Sequence, residues 1–339
     1  MKKIIFLFAI IFSGCATSVY FIEPPDWRTE IKQDSTIFFY SQFLQNRKIF
    51  IDAGHGGTDK FSHGPANDVV EANLNLRVSL FLADYLKQAG ANVSLSRKID
   101  TFITLSDRQK FAEEFGAEIF ISIHHNSVGK NSDEFTNYTS VYYHAREGDS
   151  SFNFSNHDIA KYIQRDLAYV MGNSGSLQSF DGTLSDFNIY PEVGFAVLRL
   201  ATMPSVLVEG SFFSNRYEEQ RLRREKFNKI EAWGIFRGVG KYFKSGIPKL
   251  IWDCDTLFTD SLSVLKIIAY DTIGINPKSI TAKIDFKEVD FIFQKDSNII
   301  LVPIKNLSLG QHSCDITIRN NNGNATHPFR KIFYIFAKD

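Results

Sequence analysis

Short apolar runs in this 339-residue chain end beside a His or a Glu, and helix-like stretches fill the intervals between them. The first run, residues 48–52, leads into Ala53-Gly54-His55-Gly56-Gly57, whose glycines permit a tight reversal and leave His55 just past a strand end. Leu74, Val78, Phe81, Leu82, Tyr85 and Leu86 then recur at three- and four-residue spacing up to Gly90. That spacing predicts an amphipathic helix with Glu71 at its N-terminal edge. Residues 92–97 read as a second strand and 106–115 as a second helix, capped by Ser106 and ended by Gly116. The strand 119–123 is followed directly by His124; after a helical pattern over 159–171, the strand 205–208 is followed directly by Glu209. One or two further helices fit residues 217–243. Strands alternating with helices predict an α/β fold with a mostly parallel sheet flanked by helices, and such sheets hold their sites beyond the carboxyl ends of the strands. His55, His124 and Glu209 fall there.

Beyond residues 244–248 the texture changes to short alternating runs. They are Leu265, Ile267, Ala269; Ile280, Ala282, Ile284, Phe286; Ile300, Val302, Ile304; Cys314, Ile316, Ile318; and 332–336, with Asn322-Gly323-Asn324 as a turn. A separate all-β sandwich over 249–339 is expected, with His312 where an immunoglobulin-type sandwich carries its corner tyrosine. Cys254 and Cys314 lie about sixty residues apart, and both a disulfide and two free thiols remain open.

At the other end, Lys2 and Lys3 precede an apolar run of about ten residues and then Ser13-Gly14-Cys15, the pattern of an export signal over residues 1–15. The run falls short of the roughly twenty residues that span a bilayer. Cys directly after Ser-Gly resembles the lipobox of bacterial lipoproteins. This implies a lipid on Cys15 and a chain anchored to a membrane facing the periplasm. Residues 16–47 show no clean period, Pro24 and Pro25 interrupt them, and 36–40 is the strand-like piece; they are read as a tether into a catalytic unit over 48–244. Lys plus Arg and Asp plus Glu balance at 38 each without blocks of one sign, so no nucleic-acid partner is expected.

Taken singly, His55 or Glu71 would be an ordinary polar residue. Taken together, His55, Glu71 and His124 form the two-His, one-carboxylate set that a hydrolytic zinc needs, with one position left open. A further carboxylate must then move a proton between water and the leaving group, and the strand pattern puts Glu209 in place for it.

The stretches 51–57 (IDAGHGG), 71–76 (EANLNL), 122–126 (SIHHN) and 208–215 (VEGSFFSN) together resemble the zinc-dependent N-acetylmuramoyl-L-alanine amidases, over about residues 48–243. The resemblance implies one zinc ion on His55, Glu71 and His124, a catalytic Glu209, and peptidoglycan as substrate, cut between N-acetylmuramic acid and L-alanine. Neighbouring strand residues point to opposite faces, so one of His124 and His125 can face a metal, and by the resemblance it is His124. His125 departs from the family's small residue, Gly210-Ser211 departs after Glu209, and residues 130–191 match poorly. Family members use that region as a binding wall or an inhibitory helix. His63 and Asn126 are candidate substrate contacts; His144 and His157 are read as surface residues, and Arg97, Arg108 and Arg199 as ion pairs that hold the fold. A non-catalytic envelope lipoprotein that binds peptidoglycan or a protein regulator, and a zinc peptidase or deacylase of the wall, are the rival readings.

Overall fold

The computed structural model describes residues 19–337 except 61, 130–132, 256 and 260–262. The expected signal segment 1–15 and Cys15 lie outside the described residues. Elements follow in chain order: α1 (Glu30–Leu44), β1 (Lys48–Ala53), α2 (Glu71–Gln88), β2 (Asn92–Leu95), α3 (Leu105–Phe115), β3 (Ile119–Asn126), β4 (Ser140–Tyr143), α4 (Phe154–Met171), β5 (Thr183–Ser185), α5 (Ala196–Arg199), β6 (Ser205–Phe212), α6 (Arg216–Leu222) and α7 (Glu225–Lys244).

The sheet order is β2-β1-β3-β6-β4-β5. Strands β2, β1, β3 and β6 run parallel, whereas β4 is antiparallel to β6 and carries β5 parallel to itself. Period-two alternation then sorts the side chains by layer. Ile49, Ile51, Ile121, Ile123, Val206 and Val208 meet Leu74, Val78 and Leu82 of α2 and Trp233, Phe236 and Val239 of α7 in one core. Phe50, Phe120, Tyr142 and Leu207 face the other way, toward Ala112 of α3 and Val197 and Leu198 of α5. Three layers result, and the mostly parallel α/β expectation holds.

The expected tether is corrected for the described residues. Helix α1 covers the strand-like piece 36–40, its N-terminus capped by the Thr29 hydroxyl accepting from Lys32 N–H. Ile37, Tyr40 and Leu44, spaced three and four apart, are buried in the same core as α2 and α7, and Tyr40 meets Phe236 edge-on at 5.7 Å. Smaller shifts have local causes. Strand β2 stops at Leu95 because the Ser96 hydroxyl turns in to accept from Ala53 N–H, and Thr104 rather than Ser106 caps α3 by accepting from Asp107 N–H.

The C-terminal part is the expected β domain: β7 (Lys249–Trp252), β8 (Leu257–Thr259), β9 (Ser263–Tyr270), β10 (Ile275–Ile284), β11 (Lys287–Glu288), β12 (Ile292–Gln294), β13 (Ile299–Ile304), β14 (Gly310–Asn320) and β15 (Arg330–Phe336). A five-stranded sheet, β11-β10-β14-β15-β8, and a four-stranded one, β12-β13-β9-β7, share one core that includes Leu265, Ile267, Ala282, Ile284, Val302, Ile316 and Phe333. His312 acts as a corner residue: Nε2 meets the Ser308 carbonyl at 2.9 Å and Nδ1 meets Asp285 at 2.6 Å. Cys254 and Cys314 are both free thiols.

This domain is bonded to the first one. Asn320 and Asn324 donate to the Ser245 and Gly246 carbonyls, each at 2.8 Å, just past the end of α7. Buried Asp158 on α4 accepts from Ala325 N–H at 2.9 Å and pairs with Arg319.

Candidate active site

Strands β3 and β6 continue past the expected ends, so His124 and Glu209 lie on strands rather than beyond them. The reason is pairing: the parallel register runs on through His124 opposite Glu209 before it shifts ahead of Asn126. Ser140 of β4 flanks Glu209 on its other side. His55 sits past β1 with φ +58°, an uncommon conformation for a residue with a Cβ. Gly54 is required by close approach, since a Cβ there would lie 2.3 Å from the His124 ring.

Two arginines hold this turn. Arg97 donates to the carbonyls of Ala53 at 2.9 Å, Gly54 at 2.8 Å and Ala72 at 2.7 Å, tying the His55 loop to the start of α2. Arg108 donates to the Ala53 and His55 carbonyls at 2.7 and 3.0 Å and pairs with buried Asp52 at 2.5 Å, while Ser122 donates to the other Asp52 oxygen. Arg108 is thus the expected ion pair, but Arg97 works through backbone carbonyls, and so does Arg199, which donates to Val193 and Gly194.

Glu71, the first residue of α2, is where the site converges. Its Oε1 lies 3.2 Å from His55 Nε2 and 3.3 Å from His124 Nδ1, and the donor atoms of all three residues fall within 4.8 Å of one another. A tetrahedral zinc with arms of roughly 2.0–2.1 Å keeps its donors about 3.3 Å apart, so these residues fit the ion. The other His55 nitrogen, Nδ1, meets Asp59 Oδ2 at 2.9 Å, which leaves Nε2 to face the centre.

Charges agree with this arrangement. Burial alone would lower His55, but the Glu71 and Asp59 carboxylates outweigh it and hold the imidazole at about 9. Burial alone would raise Glu71, yet hydrogen bonds from His124 and His55 bring it well below the usual carboxylate range. A proton and a metal therefore compete for the same cluster. Glu209 is pushed the other way, well above its ordinary value, first by burial and then by the Glu71 charge, against His55. Its Oε2 is buried without a hydrogen-bond partner among the described residues. A carboxyl group held this way is suited to taking and returning a proton.

His125 points into the opposite face, with Nδ1 2.8 Å from Asn75 Oδ1 and Nε2 2.9 Å from Glu231 Oε1. Of the two candidate substrate contacts, Asn126 uses its Oδ1 to accept from Ser127 N–H, and His63 is exposed, its backbone bridged to Val70. Neither belongs to the three-residue cluster. His144 is corrected from surface to interior: it is 5% exposed and bonded to Asp186, which also accepts from the N–H groups of Ala145 and Phe195. His157 is half-buried against Asp181 and Tyr143. Within the described part of 130–191, β4 and β5 extend the sheet and α4 packs on α7 in the back layer, away from the α3 side to which His124 and Glu209 turn.

Asp59 and Asn75 were missed by sequence reasoning. Asn75 lies four residues after Glu71, one helical turn on the same face, which was a usable signal; Asp59 sits in the non-helical turn after β1, where its spacing from His55 carried none.

Residues 49–241 match the family described as N-acetylmuramoyl-L-alanine amidase, a match that ends before β7. The chain is 34% identical over 201 residues to YqiI of Bacillus subtilis, covering 59% of this chain and 86% of that protein. It is 31% identical over 234 residues to the N-acetylmuramoyl-L-alanine amidase AmiA of Escherichia coli, covering 58% of this chain and 76% of that one. Among solved structures, the N-acetylmuramoyl-L-alanine amidase AmiC2 of Nostoc punctiforme aligns with a TM-score of 0.50 at 29% identity, over 58% of this chain and 97% of its own.

Proposed function

Because the chain belongs to the N-acetylmuramoyl-L-alanine amidase family, we propose that it hydrolyses the amide joining N-acetylmuramic acid to L-alanine in peptidoglycan, using His55, Glu71 and His124 as zinc ligands and Glu209 as proton carrier. The observation that carries this reading is the convergence of His55 Nε2 and His124 Nδ1 on Glu71 Oε1, with Glu209 in register beside His124.

A zinc ion bound there supplies a Lewis acid that polarises the amide carbonyl and acidifies water. Glu209 takes a proton from the attacking water and hands it to the departing alanine nitrogen, so the C–N bond breaks to a carboxylate and a free amine. Asp59 orients the His55 ring through Nδ1, and Arg97 and Arg108 hold the loop carbonyls in place.

The charged start, the apolar run and Cys15 support export and lipid attachment, which would keep the enzyme in the envelope beside its substrate. Among the described residues no helix is long and apolar enough to cross a membrane. The test is digestion of purified peptidoglycan with zinc-loaded protein: stem peptides with a free N-terminal alanine support the reading. A new amine elsewhere in the stem would instead mark a peptidase.

A further inference from the structure

Asn75 is fully buried, one turn beyond Glu71 on α2, and its Nδ2 donates to Glu71 Oε1 and to the Gly54 carbonyl, each at 3.3 Å. Oε1 is the oxygen that faces both histidines. A carboxamide turned the other way would set its carbonyl oxygen against that carboxylate and against the Gly54 carbonyl, so its orientation matters to the site.

The neighbour on the other side of the carboxamide is His125. Its Nδ1 lies 2.8 Å from Asn75 Oδ1, and its Nε2 lies 2.9 Å from Glu231 Oε1 on α7, with the His125 and Glu231 side chains fully shielded from solvent. With Asn75 Nδ2 committed to Glu71 and Gly54, its Oδ1 is the atom left to meet the His125 ring, and Glu231 closes off the far side of that ring. Gly210, next to Glu209, completes the fit: a Cβ there would fall 2.3 Å from Glu231 Oε1 and 3.0 Å from His125 Nε2. The imidazole, the carboxylate and the missing side chain are thus a matched set.

We propose that His125 and Glu231 are positioning residues for the metal centre, acting through Asn75 to fix the ligating oxygen of Glu71. The proposal rests on the reading of His55, Glu71 and His124 as zinc ligands. Removing both partners leaves no stranded charge but frees the Asn75 carboxamide.

The experiment measures zinc affinity of the metal-free full-length protein by competition with a chromophoric chelator, alongside kcat, KM and thermal unfolding. The double variant His125→Ala/Glu231→Ala is expected to bind zinc about tenfold or more weakly, with kcat lowered and KM unchanged. Glu231→Gln, which keeps the side-chain volume beside the ring, should stay close to wild type. If the double variant does not fold, Gly210→Ala takes its place, because the added Cβ displaces the pair while retaining both side chains; weaker zinc binding is again expected. Wild-type zinc affinity in a folded double variant, or in Gly210→Ala when the double variant cannot be studied, would overturn the positioning role. Failure of the wild-type protein itself to bind one zinc would instead contradict the ligand assignment.

Discussion

His124 and Glu209 are register partners across the β3–β6 pairing, so a proposed metal ligand and the proposed proton carrier are fixed to each other by two adjacent parallel strands. Groups mounted on a sheet keep their separation better than groups on loops. Glu71, by contrast, opens a helix, and His55 rides a turn that Arg97 and Arg108 hold by its carbonyls. Replacing Glu209 should remove turnover while sparing the metal. Glu209→Ala is expected to lower kcat by about 100- to 10,000-fold with zinc content unchanged, read by muropeptide mass spectrometry beside metal analysis. Loss of zinc from this variant would make Glu209 a ligand.

Asp59 holds the far nitrogen of His55. Asp59→Ala should weaken zinc binding by about 10- to 100-fold, as is usual for partners of metal-bound imidazoles. Chelator competition checks this, and an unchanged affinity would show that His55 needs no such partner.

Asp52 links the site to stability. Burial alone would raise its carboxyl, but Arg108 and the Ser96 and Ser122 hydroxyls outweigh burial and hold it below the usual value. A group lowered in the folded state stabilises above its unfolded value of about 3.9, and that contribution fades as pH falls through the folded value. Arg108→Ala leaves the carboxylate buried and unpaired, at a cost of about 3–5 kcal/mol. Acid titrations followed by circular dichroism should show this variant unfolding at higher pH than wild type; coincident curves would remove Asp52 from the account.

Asp158 joins the two domains through Arg319 and the Ala325 amide. Asp158→Ala should destabilise by about 1–3 kcal/mol by leaving that buried amide unsatisfied. It should also free the β domain to move, seen as a broader distance distribution in small-angle scattering. An unchanged profile would mean that the remaining contacts, those of Asn320, Asn322, Asn324 and His327, hold the interface without Asp158.

The sequence made the catalytic sheet legible because its buried strands are unbroken apolar runs and its helix α2 has a clear three- and four-residue period. It put His55, His124 and Glu209 at strand ends and Glu71 at the edge of α2, and in the structure donor atoms of His55, Glu71 and His124 lie within 4.8 Å of one another. Helix α1 was hidden because Ile31 and Phe38 are exposed, which blurs the stripe made by Ile37, Tyr40 and Leu44. Strands β4 and β5 are four and three residues long, too short for alternation to register. The partners of His125 could not be read either, since Asn75 and Glu231 lie 50 and 106 positions away along the chain and meet it only through tertiary packing.

The most direct test of the central claim is a digest of purified peptidoglycan by metal-free and zinc-reconstituted protein, with the released stem peptides sequenced by mass spectrometry. The account predicts one zinc per chain and peptides carrying a free N-terminal alanine only from the reconstituted sample. Zinc binding without any such peptide, or equal release from the metal-free protein, would contradict it.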